Sequence, residues 1–225
     1  MEIVPLGDRA VLVNFEQKIS PVVNEKVVRL QKVLEMSFAP EIEFMIPAFC
    51  SLTIGYSRSK TTFLKLKEKI IKLKEEEVDL KKEDPVLHKI PVCYNASYSI
   101  DIQDVIGQTN LSKNAIIELH TNQVFQVYMM GFLPGFAYLG SLPKQLFTKR
   151  KAIPRKRVEN GSVGLAGFQT GIYPLESPGG WQIIGRTPVN VFDLKKEDPF
   201  FFKTNDRVQF FSISKEEFEN YNSDD

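Results

Sequence analysis

The chain has 225 residues, 43% of them hydrophobic and 25% charged, with a net charge of +1. That length allows one large domain or two small ones with a sizeable core, and the balanced charge gives no whole-protein pull towards nucleic acid or a membrane surface. Two cysteines and two histidines at unrelated spacings make no conventional zinc site, and no run approaches the roughly 20 apolar residues of a membrane helix, so the expectation is a cytoplasmic, metal-free protein.

In chain order, AVLVNF (10–15) reads as a strand preceded by a turn at Gly7-Asp8. Ser20-Pro21 has the form of a helix start, with proline at the first helical position, and Val22, Val23, Val27, Leu30 and Leu34 follow at helical spacing to about Met36. Residues 42–47 and 49–56 alternate as strands. Residues 60–76 form an amphipathic helix with Phe63, Leu66, Ile70 and Leu73 on one face. Its lysines face nearly as many acids, which predicts a solvated face, not a nucleic-acid surface. Strands and two helices in this order imply an antiparallel sheet with helices on one face.

The charged run 75–85 ends in Pro85 and reads as a linker. Beyond it, residues 86–94 form a strand, Ser112 caps a helix carrying His120 near its end, and residues 123–132 form a strong strand. Short strands between Gly/Pro turns then continue through 183–184, 189–192 and 208–213, the pattern of a β-barrel or sandwich. Cys50 and Cys93 both lie in apolar runs and read as structural thiols.

Ten of the thirteen glycines fall between Gly131 and Gly185. The same interval, extended to Arg186, holds eight lysines and arginines against two acids, Glu159 and Glu176. Glycine lets backbone N–H groups approach an anion, and arginine adds bidentate recognition of carboxylate or phosphate. An anionic small molecule is therefore the expected guest, although turns in any small barrel also need glycine and a basic loop can be mere solvated charge. Neither a phosphate-binding GxxxxGK[ST] loop nor GxGxxG is present. Conventional catalysts are scarce: Ser162 has no nucleophile-elbow context, His120 is the one candidate proton-handling group in this half, and Gln169, Tyr173 and Gln182 are plausible neutral binders. GFLPGF (131–136) reads as a core-filling bend or an exposed apolar rim for a partner.

At these residues the chain resembles the family of 5-oxoprolinase B subunits, also known as allophanate hydrolase subunit 1 or KipI-like proteins. The matching stretches are Leu119-His120, GFLPGFAYLGSLP (131–143), Pro154-Arg155, GSVGLAGFQTGIYP (161–174), SPGGWQIIGRTP (177–188) and Asp206-Arg207-Val208. The sequence departs from the family pattern at Lys149, Glu159-Asn160 and Asn205. The resemblance implies a ferredoxin-like α/β sandwich over 1–84 and a cyclophilin-like β-barrel over 85–225. It further implies one component of an ATP-dependent 5-oxoprolinase, inactive alone, working with a homologous barrel subunit (the C-type component) and a lactam-utilisation subunit (the A-type component). ATP would be the co-substrate of that assembly. Arg150, Arg155 and Arg186 would contact anions, Gln169, Gly179 and Gly180 would wall the pocket, Trp181 would stack or pack, and His120 would handle protons. The alternative implied by some relatives is an inhibitor that binds a sensor histidine kinase, docking through Phe132, Leu133 and Phe136. A role in urea or allophanate metabolism is a weaker third expectation.

Overall fold

The structure, a computed structural model, describes residues 1–75 and 84–221. It divides into two units, Met1–Asp84 and Pro85–Asp225. Most of the charged run expected as a linker lies outside the described residues.

The first unit runs β1 (Glu2–Leu6), β2 (Ala10–Asn14), α1 (Pro21–Phe38), β3 (Ile42–Pro47), β4 (Ser51–Tyr56) and α2 (Phe63–Glu75). The sheet order is β1-β2-β4-β3, every neighbouring pair antiparallel. Alternation decides the faces: Val11, Val13, Leu52 and Ile54 point inward, where Val27 and Leu34 of α1 and Leu66 and Ile70 of α2 cover them. A Leu or Ile fully buried in this way contributes about 1.5–3 kcal/mol over an exposed one. Ser20 has the extended backbone of an N-cap, but its side chain makes no capping bond.

The order ββαββα departs from the βαββαβ of a ferredoxin-like sandwich. The strand beside β2 comes from the N-terminal hairpin, which turns through Gly7 at φ +63, so the unit is a split βαβ with an added leading strand. In that split βαβ, β2 and β3 run parallel on either side of antiparallel β4.

The second unit contains β5 (Leu87–Cys93), α3 (Ile102–Thr109), α4 (Lys113–Thr121), β6 (Val124–Met130), β7 (Ala137–Gly140), β8 (Arg155–Val158), β9 (Ser162–Ala166), β10 (Gln169–Ile172), β11 (Ser177–Gly179), β12 (Gln182–Arg186), β13 (Arg207–Ile213) and α5 (Lys215–Glu219). Seven strands close into a barrel in the order β10-β7-β6-β13-β5-β12-β9, with β8 and β11 paired separately. Residues 189–192, expected as a strand, contribute only a single bridge, Phe192 to Phe200.

The barrel strands alternate between two apolar clusters. Ile90, Val92, Phe125, Val127, Leu139, Val163, Leu165, Ile184 and Phe210 form one, joined by Ile102 and Val105 of α3 and Ile116 of α4. Residues of the opposite parity, Ala166 and Ile183, join Phe136, Val158, Tyr173 and Trp181 in a second. Three of the glycines pack against this second cluster. A Cβ at Gly171 would lie 2.9 Å from the Ala137 carbonyl oxygen and 3.2 Å from the Trp181 ring, and one at Gly164 would lie 3.0 Å from the Trp181 Cβ. A Cβ at Gly179 would collide with the Tyr173 hydroxyl. These glycines make room for aromatic rings, which is a packing reason for a composition that the sequence suggested was an anion cradle.

Candidate functional site

His120 lies on α4 with no exposed surface. Its ring stacks on Phe210 with centroids 4.5 Å apart and planes 16° apart. Thr170 Oγ1 donates to the Gly164 carbonyl, so it accepts from His120 Nε2 at 3.0 Å, which leaves Nδ1 to accept from the Tyr94 hydroxyl at 2.8 Å. Burial pushes the His120 pKa down to about 3 and the Tyr94 hydroxyl far above its ordinary value. The imidazole is thus a neutral, fully hydrogen-bonded core group. The proton-handling role expected of it has no solvent or substrate to reach, because the barrel encloses the ring.

Polar groups cluster differently around the segment from Phe147 to Arg155. Asp101, at the start of α3, is buried, with its carboxylate paired to Arg155 and to Lys151 at 2.9 Å; Oδ2 accepts from the Ile183 N–H at 2.8 Å. Burial works to raise this carboxyl, but the bonds from Arg155, Lys151 and Ile183 outweigh it and hold the pKa below the usual carboxylate range. Lys151 also reaches Asp104 at 2.7 Å, and these contacts hold its ammonium pKa above the ordinary lysine value. Two of the segment's cations are therefore neutralised within the fold. Lys149 and Arg150 form no ion pair among the described residues.

Two pockets flank this segment and share Phe147, Lys149 and Arg150. One, of about 370 Å³, is lined additionally by Tyr138, Thr148, Ala166, Gly167, Gln169 and Trp181. The other, of about 700 Å³, takes in Asp104, Gln108, Lys151, Ile153 and Gln182. Burial raises the Tyr138 and Tyr173 hydroxyls, and the positive charge of Arg150 works against it at both. Thr148 Oγ1, Arg155 Nη1, Gln169 Nε2 and Gln182 Oε1 are all buried without a hydrogen-bond partner. Buried polar atoms are nearly always paired, so unmet atoms beside two pockets and two uncommitted cations make this segment the candidate site.

The residues expected from the sequence separate accordingly. Arg150, Gln169 and Trp181 meet at the smaller pocket. Arg155 stands behind the segment, held by Asp101. Gly180 supports the segment by accepting from the Lys151 N–H at 2.8 Å, and Gly179 packs under Tyr173. Arg186 lines neither pocket: it pairs with Glu159 at 2.5 Å and donates through Nε to the Asn160 carbonyl at 2.8 Å. Ser162 is buried in β9. Of the apolar rim, Phe132 is 58% exposed and Leu133 half-buried, but Phe136 is 1% exposed, with its ring edge-to-face on Trp181 and Tyr173. Phe136 therefore cannot dock a partner. Asp101 and Thr148 carry no sequence signal at all. No group of acidic, cysteine or histidine residues that could hold a metal occurs among the described residues, and no helix there is long and apolar enough to cross a membrane.

Comparison with known proteins accords with this architecture. Residues 1–202 match the family described as carboxyltransferase domain, subdomain C and D. The chain is 34% identical to the 5-oxoprolinase B subunit of Bacillus subtilis, over 98% of this chain and 96% of that one. The solved structure of TTHA0988 is 32% identical with a TM-score of 0.79; the match covers 92% of this chain but spans only 40% of that one. At 20% identity, the Kluyveromyces lactis urea amidolyase shares the fold, with a TM-score of 0.80 over 96% of this chain and 15% of its own. The chain belongs to the carboxyltransferase subdomain C and D family, and within it to the group of 5-oxoprolinase B subunits.

Proposed function

We propose that the chain is one component of an ATP-dependent 5-oxoprolinase, acting with a homologous barrel subunit and a lactam-utilisation subunit to open 5-oxoproline to glutamate. The names of the relatives support the reading, as does the occurrence of this module within much longer chains. A lactam is a poor electrophile. Transfer of the terminal phosphoryl group of ATP to the lactam oxygen makes the ring carbon attackable by water; the C–N bond then breaks, the nitrogen takes a proton, and a second water hydrolyses the resulting acyl phosphate to the carboxylate and inorganic phosphate. This chain's contribution is to bind and orient the anionic substrate. The observation that carries this is the uncommitted Arg150, shared by the two pockets, beside the unmet Gln169 Nε2 and Gln182 Oε1.

The test is 5-oxoproline-dependent ATP hydrolysis by the reconstituted assembly, with and without this protein. Hydrolysis that is indifferent to its omission overturns the reading. Arg150→Ala should lower kcat/KM about tenfold or more, because a hydrogen bond to a charged group contributes about 1.5–3 kcal/mol. The melting temperature should stay near wild type, since Arg150 is exposed and makes no ion pair.

A further inference from the structure

At the mouth of the larger pocket, Gln182 opens β12 and is 3% exposed. Its orientation is fixed: Nε2 donates to the Lys149 carbonyl at 3.0 Å, a contact only the N–H end of the amide can make. Oε1 is consequently the end left buried without a donor. On the same wall the Lys149 N–H donates to Gln108 Oε1 at 2.8 Å, so Gln108 retains its own amide N–H groups as donors. Lys151 is spent on Asp101 and Asp104, which leaves Lys149 and Arg150 as the lining cations without a carboxylate.

A ligand matching this set carries an anion for Lys149 and Arg150, an acceptor for an amide N–H, and one donor for Gln182. The ring of 5-oxoproline has that pattern: an N–H flanked by a carbonyl and by the carbon that bears the carboxylate. We propose that Gln182 is the residue that recognises the ring N–H of a cyclic-amide carboxylate bound at this end of the barrel, and so sets the preference for lactam over lactone. The proposal rests on the reading of the chain as a 5-oxoprolinase component. The nitrogen that Gln182 holds is also the one that becomes the amine of glutamate, so the same acceptor serves before and after ring opening.

The test compares 5-oxoproline with its lactone analogue, in which a ring oxygen replaces the N–H while shape and carboxylate are kept. Calorimetric titration of the wild-type protein should show the lactone binding about tenfold or more weaker, because a site built to hydrogen-bond a donor rejects the analogue that lacks it. Gln182→Met should bring the two affinities together, chiefly by weakening the lactam. A wild-type ratio near one overturns the proposal without any variant, and so does a ratio that survives in Gln182→Met. Absence of binding to the isolated protein also overturns it if the KM of the assembly for 5-oxoproline is unmoved by Gln182→Met. Each of these failures leaves the dependence of ATP hydrolysis on this chain intact, whereas loss of that dependence strikes the 5-oxoprolinase reading itself.

Discussion

Inside the barrel, His120 sits between Tyr94 and Thr170 with both ring nitrogens met. Around the segment 147–155, Gln169 and Gln182 each carry an amide atom that nothing among the described residues meets. Both regions bury polar side chains, yet only one completes its own hydrogen bonding. A satisfied polar chain fixes structure; an unsatisfied one beside free cations is poised for a ligand. By that criterion the histidine, chemically the more versatile group, is scaffold, and the proposed recognition falls to the two glutamines.

The sharpest way to probe the contrast is pH. His120 titrates near its ordinary value of 6.5 when unfolded and near 3 when folded. Between those values the unfolded state binds the extra proton, so stability falls as pH drops through this window and the loss is complete below about pH 3. The slope from this one group is up to about 1.4 kcal/mol per pH unit. Denaturant titrations from pH 7 to pH 4 should show it, and His120→Gln should flatten the curve relative to wild type. Equal slopes would mean that the ring is reachable and chargeable, and the contrast would collapse.

Asp101 comes next. Asp101→Ala strands Arg155 and the Ile183 N–H and leaves Lys151 with Asp104 alone, at a cost of about 3 kcal/mol. That is the lower end of the usual range, because the two cations retain 24% and 22% side-chain exposure. Asp101→Asn keeps acceptor capacity and should cost less; chemical denaturation orders the two variants. Gly171→Ala tests the packing reading of the glycines, with an expected loss of about 1–3 kcal/mol from crowding the Ala137 carbonyl and the Trp181 ring. A neutral result in thermal melts would restore the backbone-cradle reading. Smallest is Arg186→Ala. Its partner Glu159 is 58% exposed, so the expected stability change is under about 1 kcal/mol, and the KM of the assembly for 5-oxoproline should not move.

Periodicity made α1, α2, α4, β5, β6 and β13 legible in the sequence, because each carries a clean apolar stripe or alternation. The hairpin strand β1 was hidden by a proline and by the adjacent turn, and α3 by its short run and its glycine. The basic, glycine-rich segment drew attention to Arg150, Gln169 and Trp181, which the fold brings to one pocket. It could not separate Arg150 from Arg186, since what distinguishes them is a partner: Glu159 for Arg186 and none for Arg150. Asp101 was illegible for the same reason, being an ordinary loop aspartate until the fold sets it against Arg155, which is 54 residues away in sequence.

Trp181 is the chain's single tryptophan. It is 5% exposed, set edge-on to Phe136 and Tyr138, and it forms part of the wall of the smaller pocket. Its indole is therefore a native optical reporter, shielded enough to emit in the blue of the tryptophan range and placed where occupancy of the neighbouring space perturbs its surroundings. No other tryptophan contributes a background signal, so binding and assembly can be followed in real time on the unlabelled protein.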